Sequence, residues 1–366
     1  MSAGPGFLPP RTIGWYLAQT FVSRSLAVLA ALVLVLMTLD LLGESGDILA
    51  YPGNGQAAIL HYVALRVPQI IARFLPFSVL LGTLITLVRM NANSEIISMK
   101  AAGISAHQIL APLGFASLAI AGLSFWFNDH VVARSTAALT AWQNVDYGPV
   151  RDTRGVVDNV WVRDGEDLIH VDHVTGRGAA ARLIGVEYYD RTADRLTVIA
   201  KGERGQFVNG AWKIDKVQLF DVRRGALRDF PSMTIGKGIA PDRFTLASVD
   251  GDSRSFRSLW EAIGELQASG RPTGALRTIL WHKISGPLST ILMPLLAGVA
   301  GFGLARSGRL FLRAVIGMAL GFLYFVADNF ALAMGNLGAY PPLLAAWAPF
   351  LLFFLIGEAV LIRTEE

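Results

Sequence analysis

The segment NVWVRDGEDLIHVDHV, residues 159–174, lies in a polar stretch of an otherwise apolar chain. Apolar and polar residues alternate on both sides of the Asp-Gly dipeptide at 164–165, which supplies the positive φ angles of a tight two-residue turn. A second segment, GQFVNGAWKIDKVQLFDV at residues 205–222, repeats the arrangement around Asn-Gly at 209–210. The sequence therefore predicts two β-hairpins.

Further short strands are predicted around residues 184–189 and 196–200. Their close spacing favours a meander or a jelly-roll-like sheet over alternating βαβ units. After these strands, residues 255–269 have the periodicity of a short amphipathic helix. Its predicted apolar face consists of Leu259, Ala262, Ile263 and Leu266.

Three long apolar runs precede the polar stretch and three follow it. Each is close to the roughly 20 residues that a helix needs to cross a hydrocarbon core of about 30 Å. The chain is 53% hydrophobic and 16% charged, whereas an ordinary soluble domain is about 25% charged. The runs lie at residues 26–42, 67–88, 109–128, 284–304, 314–334 and 343–362.

This layout predicts an α+β integral membrane protein with six transmembrane helices and a β domain inserted between helices three and four. No small-x-small cleavage site follows the first run, so we expect it to be a retained span rather than a signal peptide. The predicted boundaries are 1–130 for helices one to three, 131–270 for the β domain with its connecting helix, and 271–366 for helices four to six.

Orientation is predicted from the lysine and arginine residues of the short loops, which are concentrated on the cytoplasmic side of membrane proteins. The short loop at residues 335–342 carries no charge. We therefore expect both termini to be cytoplasmic and the β domain to lie on the outer side. The basic residues of the opposite side are Arg11, Arg24, Arg89, Lys100, Arg306, Arg309 and Arg313.

Several classes of function are disfavoured. The chain has no cysteine, which excludes disulfides and thiolate metal sites. Its net charge of +4 comes from basic residues beside the apolar runs, so we expect no nucleic-acid partner. His170 and His173 point to opposite faces of a strand, and we expect neither a metal site nor a cofactor.

No nucleotide-binding loop is evident in the sequence. The G-x-x-x-x-G-K-[ST] pattern needs a glycine five residues before its second glycine, but Pro231 stands at that distance from Gly236. No cluster of catalytic side chains is evident either. If transport is driven by ATP, hydrolysis takes place on another chain.

A short helix is predicted at about 93–103, between the second and third apolar runs. Asn93 or Ser94 can cap its start, Glu95 suits the positive end of its dipole, and Gly103 can end it. A capping box formed by Ser105 and Gln108 then opens the third span.

This short helix carries more apolar residues than a solvated loop requires. It can lie on the lipid surface, or it can dock into a groove of another protein and receive force from a cytoplasmic ATPase. The residues that would couple it to an ATPase are Ser94, Glu95, Ile97, Met99, Ala101 and Gly103, with Ile96 also on the helix.

Ionisable residues within or beside membrane spans indicate a functional site, because burying a charge in lipid costs several kcal/mol. Arg66, Arg73 and Arg134 are predicted at the outer ends of spans two and three. They can contact lipid phosphates or extend to ordinary head groups. Asp40 and Asp328 can pair with other helices, and Lys283 is a possible partner.

Small residues and prolines indicate close packing and possible kinks of the helices. Gly317 and Gly321 form a small-xxx-small pair that allows another helix to approach span five. Ordinary membrane-helix composition explains them equally well. The prolines that can kink spans two and four are Pro68, Pro76, Pro287 and Pro294.

In the order and spacing of four segments and in the arrangement of its spans, the chain resembles the LptF/LptG permeases of the lipopolysaccharide export machine, with the LptG members closer. The resemblance covers nearly the whole chain. The segments are NSEIISMKAAGIS (93–105), NVWVRDGEDLIHV (159–171), ILWHKISGPLS (279–289) and GFLYFVADNFALAMGNLGAYPP (321–342). The arrangement is three spans, a β domain and three further spans.

The resemblance implies a subunit of an ABC-type transporter that extracts lipopolysaccharide from the bacterial inner membrane. It implies an LptF-like paralogue as heterodimer partner, an LptB-like ATPase dimer on the short helix, and a periplasmic β-jelly-roll domain. That domain would pass lipid to an LptC/LptA-like periplasmic bridge. The resemblance also implies that spans one and five form lateral gates for the lipid, with Gly317, Gly321 and Asp328 at the gate of span five.

One position departs from the family pattern. LptG-like proteins carry a lysine near the outer end of span one, but this chain has Met37 there and no lysine in the span. Arg66 and Arg73 can supply the charge from span two, or the lipid carries fewer phosphates. The alternatives to transport are a membrane-bound lipid-modifying enzyme and a receptor or scaffold whose outer domain binds a protein.

Overall fold

Apolar runs of this length form helices in a membrane because only a helix satisfies its own backbone hydrogen bonds. The computed structural model of the protein describes residues 9–149, 156–176, 180–192, 195–245, 250–268, 271–301 and 310–365. The described helices are α1 (Arg11–Ala50), α2 (Gln56–Ala92), α3 (Glu95–Ala101), α4 (Ala106–Phe127), α5 (Ala133–Gln143), α6 (Asp242–Thr245), α7 (Phe256–Ala268), α8 (Gly274–Gly301), α9 (Leu310–Asn336) and α10 (Pro342–Glu365).

Five helical segments of the described residues are long and apolar enough to cross a membrane. Helix α8 occupies the place of the predicted fourth span but is not one of the five. The predicted count of six therefore stays a prediction. The five segments are Arg11–Ala50, Gln56–Ala92, Ala106–Gln143, Ala314–Asn336 and Pro342–Arg363.

Two glycines let the helices approach closely. A Cβ atom added to Gly82 of α2 would lie 2.6 Å from the Cα atom of Ser25 in α1, so only glycine fits between these backbones. A Cβ atom on Gly321 of α9 would lie 2.1 Å from a methyl carbon of Leu80 in α2. Close approach of this kind is a main source of attraction between helices in lipid.

The third apolar segment continues far past the predicted boundary near residue 130. A π-helical turn, Asn128–Val132, joins α4 to α5, and the helix ends only at Gln143. The turn places the carboxylate of Asp129 where it accepts a hydrogen bond from the backbone N–H of Phe256, at the start of α7. The buried residues of α7 are the four predicted, Leu259, Ala262, Ile263 and Leu266, which confirms its amphipathic face.

The polar stretch forms one antiparallel sheet of six strands in chain order. Within the described residues this is a meander, and the predicted jelly-roll-like form is not confirmed. The connections between the strands are short, and a short connection joins only neighbouring antiparallel strands. The strands are β1 (Val156–Asp164), β2 (Asp167–Thr175), β3 (Arg182–Thr192), β4 (Arg195–Val208), β5 (Ala211–Asp221) and β6 (Ala226–Ile235).

Both predicted hairpins are confirmed, with one change in a turn. Asn209 and Gly210 both have positive φ angles, of 51° and 79°, as the predicted turn between β4 and β5 requires. Between β1 and β2 the closing pair is Asp164 with Asp167, so the turn residues are Gly165 and Glu166. Only Gly165 has a positive φ angle, which fits a turn with glycine first.

One face of the sheet packs into an apolar core around Trp212, which is fully buried. The indole N–H of Trp212 donates a hydrogen bond of 3.0 Å to the carbonyl of Ile239. Its ring packs edge-on against Phe244, with the ring centroids 4.9 Å apart. The N–H group of the indole therefore has a hydrogen-bond acceptor, and its ring has an aromatic packing partner.

The described chain divides into two compact units. The helical unit comprises Met1–Val150, Gly251–Gln267 and Arg271–Glu366, and the β unit comprises Arg151–Asp250 and Ala268–Gly270. The β unit therefore begins 20 residues after the predicted boundary at 131. The connecting helix α7 lies in the helical unit, whereas the sequence placed it with the β domain.

Candidate functional site

Helix α3 ends as predicted but begins differently. Gly103, with a φ angle of 84°, donates from its backbone N–H to the carbonyl of Lys100, and Ile104 donates to that of Met99. These two bonds form the glycine-based C-terminal cap. Ser94 stands at the N-cap position with a φ angle of 61°, and its side chain makes no capping bond. Side-chain capping by Ser94 was therefore a wrong prediction.

The capping box at the start of α4 is confirmed. The backbone N–H of Gln108 donates to the Ser105 hydroxyl at 3.2 Å, and the backbone N–H of Ser105 donates to the side-chain amide oxygen of Gln108 at 3.0 Å. With caps on both sides of residues 103–105, the connection between α3 and α4 has a defined geometry. The three residues between α3 and α4 are therefore held by the C-terminal cap of one helix and the capping box of the next.

The apolar residues of α3 divide between its two faces. Ile96 is buried in the helical core, and Met99 packs partly buried against the same core. Ile97 is half exposed, and Ala101 is exposed. Met99 is therefore largely occupied within this chain, and the outward apolar surface of α3 consists of Ile97 and Ala101. Glu95 lies at the helix start, where it accepts hydrogen bonds of 3.2 Å from Tyr16 and Asn93.

Asp40 and Arg66 form an ion pair between α1 and α2. The guanidinium donates from Nη2 to Oδ1 of Asp40 at 2.8 Å and from Nε to Oδ2 at 3.1 Å. The hydroxyl of Tyr62 donates to Oδ2 at 2.6 Å, and Arg66 also donates to the side-chain oxygen of Gln69 at 2.9 Å. The internal pairing expected for Asp40 is therefore present, with Arg66 as its partner.

Arg73 and Arg134 differ from Arg66 in having no such partner. Both side chains are exposed, and neither forms a hydrogen bond or ion pair with any residue that the structure describes. Arg73 lies seven residues after Arg66, about two helical turns or 10 Å along α2. Of the four residues predicted to bind lipid, two thus neutralise each other and two carry available positive charge.

The predicted gate residues lie on α9. Gly321 is the position of close contact with α2, and Gly317 is buried one turn earlier. Asp328 lies 3.0 Å from Nε2 of His282 in α8. The sequence had suggested Lys283 as a partner, one residue further along. The spacing of a histidine and an aspartate on different helices gives no signal in a single sequence, so His282 was missed.

A second polar contact that the sequence did not reveal lies beyond the Asp40 pair. Glu44 of α1 accepts a hydrogen bond from the hydroxyl of Tyr147. Burial, and then this bond to a carboxylate, raise the pKa of Tyr147 above its ordinary value. The ring of Tyr147 also packs edge-on against Trp142 at 5.1 Å. These contacts tie residues after α5 to the end of α1.

Comparisons with known proteins show the family of this chain. Residues 15–363 match the family described as lipopolysaccharide export system permease LptF/LptG. The chain is 25% identical over 352 residues to the permease protein LptG of Escherichia coli strain K12, covering 94% of this chain and 95% of the relative. It is 24% identical over 310 residues to LptG of Haemophilus influenzae, covering 83% and 86%. The chain therefore belongs to the LptF/LptG family of lipopolysaccharide export system permeases.

Proposed function

We propose that this protein is the LptG-type permease subunit of an ABC exporter that extracts lipopolysaccharide from the inner membrane. Membership of the permease family and the long apolar helices make the chain a multi-pass inner-membrane protein and a transporter subunit rather than an enzyme. The observation that carries the mechanism is helix α3, which packs on the helical core through Ile96 and Met99 and turns a small apolar surface outward. Such a surface suits a rigid contact with a partner.

The partner at α3 is an LptB-like cytoplasmic ATPase dimer. The sequence has no phosphate-binding loop of its own, so the work of transport must enter through a contact. Ile96 and Met99 join α3 to the helical core, and Ile97 and Ala101 face outward. A push on the outer face is therefore transmitted to α4 and α2 without loss in a flexible loop. Glu95 serves at the helix start, where its charge suits the helix dipole, and Gly103 serves by ending the helix.

The proposed orientation has both termini and α3 in the cytoplasm and the β unit in the periplasm. Its support is the distribution of Lys and Arg among the short connections, such as Lys100 on the α3 side against the uncharged loop of residues 335–342. A β sheet placed in the periplasm can hand lipid to an LptC/LptA-like bridge. An LptF-like paralogue completes the permease, with Gly317, Gly321 and Asp328 at the gate.

The phosphates of the lipid bind at Arg73 and Arg134, whose charges are available. Arg66 becomes a third contact when a phosphate replaces Asp40 as its partner. Arginine suits this exchange because its planar fork binds carboxylate and phosphate in the same bidentate geometry. The exchange would also release α1 from α2 at that point, which links lipid entry to movement of the first helix. The positive charge of Arg66 then takes the place of the lysine that span one lacks.

The energy that the partner must supply follows from the acyl chains. Moving one buried CH₂ group into water costs about 0.8 kcal/mol. Several chains therefore cannot leave the bilayer without ATP hydrolysis and an apolar surface that receives them. In the proposal, ATP hydrolysis acts through α3, and the periplasmic bridge provides the apolar surface that receives the chains.

Co-purification with the ATPase tests the proposal. Ile97→Asp, alone and with Glu95→Lys, places charge on the outer face of α3 and should abolish capture of the ATPase by the permease. Leu337→Asp is the matched control, because Leu337 is an exposed aliphatic residue, 77% accessible, in the connection after α9. That variant should retain the ATPase.

Two results would contradict the proposal. Retention of the ATPase by Ile97→Asp with Glu95→Lys would show that α3 is not the docking element. Purification of the permease from its native membrane with no ATPase at all would favour the receptor or scaffold alternative. The folded state of each variant is checked by its elution as a single species in detergent.

A further inference from the structure

An exposed tryptophan on the β sheet is held in a fixed position. Trp161 of β1 is 51% exposed, yet its indole N–H donates to the side-chain oxygen of Asn159 at 3.2 Å. Its ring packs against His170, with centroids 4.5 Å apart, and stacks on Tyr189 at 5.9 Å. A free surface side chain would be mobile, whereas this one is held by three contacts and leaves part of its surface open.

The neighbours that hold Trp161 are themselves fixed. His170 lies 3.0 Å from the same Asn159 oxygen. The hydroxyl of Tyr189 donates to Glu187 at 2.5 Å, and Lys201 donates to the other oxygen of Glu187 at 2.6 Å. These bonds lower the pKa of Glu187, first through Lys201 and then through Tyr189. The bond to Glu187 and then burial raise the pKa of Tyr189 to about 12.

Strand register places six side chains, one from each strand, in a row across the sheet. Each member of the row is the direct cross-strand partner of the next, so their side chains share a face. We call this set the polar row. It consists of Trp161, His170, Glu187, Lys201, Gln218 and Asp229.

A shallow depression of about 750 Å³ contains the four members of the polar row that follow Trp161 and His170 across the sheet. Its size is within the range of small-molecule sites, roughly 300–1,000 Å³. Its floor includes Gly185 and Gly202, which bring no side chain into the space. Carboxylates, amines and an amide line it together with apolar groups such as Phe230 and Pro231, so its occupant must offer both polar and apolar surface.

The charges of the depression limit the occupant further. Two of its carboxylates are paired with lysines, Glu187 with Lys201 and Glu203 with Lys216. Asp172 and Asp229 add negative charge without a lysine or arginine partner among the described residues. The surplus is therefore negative, and phosphate or carboxylate groups are disfavoured there. A neutral or amino-bearing polyhydroxyl compound fits, since its hydroxyls both donate and accept hydrogen bonds.

We infer that Trp161 and the polar row form a saccharide-binding surface on the β unit, with the apolar face of one sugar ring on the indole and the hydroxyls or amino groups of the adjoining saccharide units toward Glu187, Lys201 and Gln218. This inference rests on the proposed function, because the sugar belongs to the glycolipid that the permease handles. It adds a contact for the saccharide part of that lipid, separate from the arginines that meet its phosphates.

Binding of a soluble sugar to the full-length protein in detergent tests the inference. The probe is the glucosamine disaccharide without acyl chains, in a phosphate-free and a phosphorylated form. Saturation transfer from the protein to the sugar protons reports binding. Trp161→Ala should weaken binding about tenfold, as the loss of one good stacking contact would, and Trp161→Phe should recover part of the loss. The phosphate-free form should bind at least as tightly as the phosphorylated form.

Trp260→Ala is the matched control, because Trp260 of α7 is 59% exposed but lies in the helical unit. It should bind the sugar as the unchanged protein does. Equal binding by Trp161→Ala and Trp260→Ala, or no saturation transfer at all, would overturn the inference. Preference for the phosphorylated form would also overturn it. Capture of the ATPase by the same variants shows separately whether the proposed function holds, since α3 is unchanged in them.

Discussion

The helical unit and the β unit distribute apolar residues in opposite ways. In the helices, large aliphatic side chains face outward, as for Leu42 at 73% exposure and Leu355 at 65%. In the sheet, Val171 and Val186 are completely buried, and the outward face carries the polar row. The difference shows that the two units fold in different solvents. Lipid surrounds the helices, whereas water surrounds the sheet.

The polar residues complete this contrast. Thr83 and Thr86 are buried between helices, where each hydroxyl donates to a backbone carbonyl one turn earlier at 2.7 Å. Charged groups of the sheet pair at its surface, as Lys201 does with Glu187. Without a hydrophobic driving force between helices, close packing must hold the helical unit together. The β unit is instead held by its apolar core.

The largest effect is therefore expected from a side chain added where helices touch. Gly82→Val would force α1 away from α2, because even a Cβ atom meets the backbone of Ser25. We expect little or no monodisperse protein in detergent, as measured by size-exclusion chromatography. Gly122→Val in α4 is the matched control, since nothing lies within 4 Å of a Cβ atom there. Normal yield of Gly82→Val would show that the close contact is not required.

In the β unit the largest expected effect comes from its core. Trp212→Ala removes a fully buried indole and should lower the free energy of unfolding of the sheet by about 3–5 kcal/mol. Hydrogen exchange should accelerate across β1 to β6. Exchange in α8 and α9 should stay as it was, because those helices belong to the other unit. Faster exchange in both units to the same extent would contradict the division into two units.

A smaller effect is expected at the ion pair of the helical unit. Asp40→Asn leaves Arg66 with its charge uncompensated, so the phosphorylated lipid should bind about fivefold more tightly. Arg73→Ala removes an available charge and should weaken binding by a similar factor. Titration of the lipid into the purified protein measures both. If the two variants bind the lipid alike, the arginines do not contact its phosphates.

The smallest effect is expected for the ion pair between Glu187 and Lys201 on the surface of the β unit. Because its pKa is lowered in the folded sheet, Glu187 stabilises the fold at pH values above its ordinary pKa of 4.5. That contribution is lost as the pH falls through the folded pKa. Glu187→Gln should therefore lower stability at pH 7 by about 1 kcal/mol or less, and the difference should shrink toward pH 3. If the stability difference between Glu187→Gln and the unchanged protein grew as the pH fell, a stabilising role for the Glu187 carboxylate would be contradicted.

The periodic features of the sequence were sufficient to predict most of the fold. Apolar runs predicted the helices, and the Asn-Gly turn fixed the register of β4 and β5 because its φ angles suit few other residues. The first turn was displaced by one residue, to Gly165 and Glu166, because Gly165 alone can supply a glycine-first turn. The continuation of α4 to Gln143 was missed, since an amphipathic extension with few long apolar residues resembles a soluble segment.

The candidate site was less predictable. Asp40, Arg66 and Arg73 were selected as charges within apolar runs, but the sequence could not show that Asp40 neutralises Arg66 while Arg73 stays available. That difference depends on which residues of α1 and α2 face each other in three dimensions. The fixed position of Trp161 was also hidden, because it depends on partners in β2 and β3.

ATP-driven release of lipid from vesicles tests the central claim most directly. The permease is reconstituted with its paralogue, the ATPase and phosphorylated glycolipid, and release to a soluble acceptor protein is followed over time. The account predicts release that needs ATP, is lost with Ile97→Asp and persists with Leu337→Asp. Release that proceeds equally well without ATP, or with Ile97→Asp in place, would contradict it.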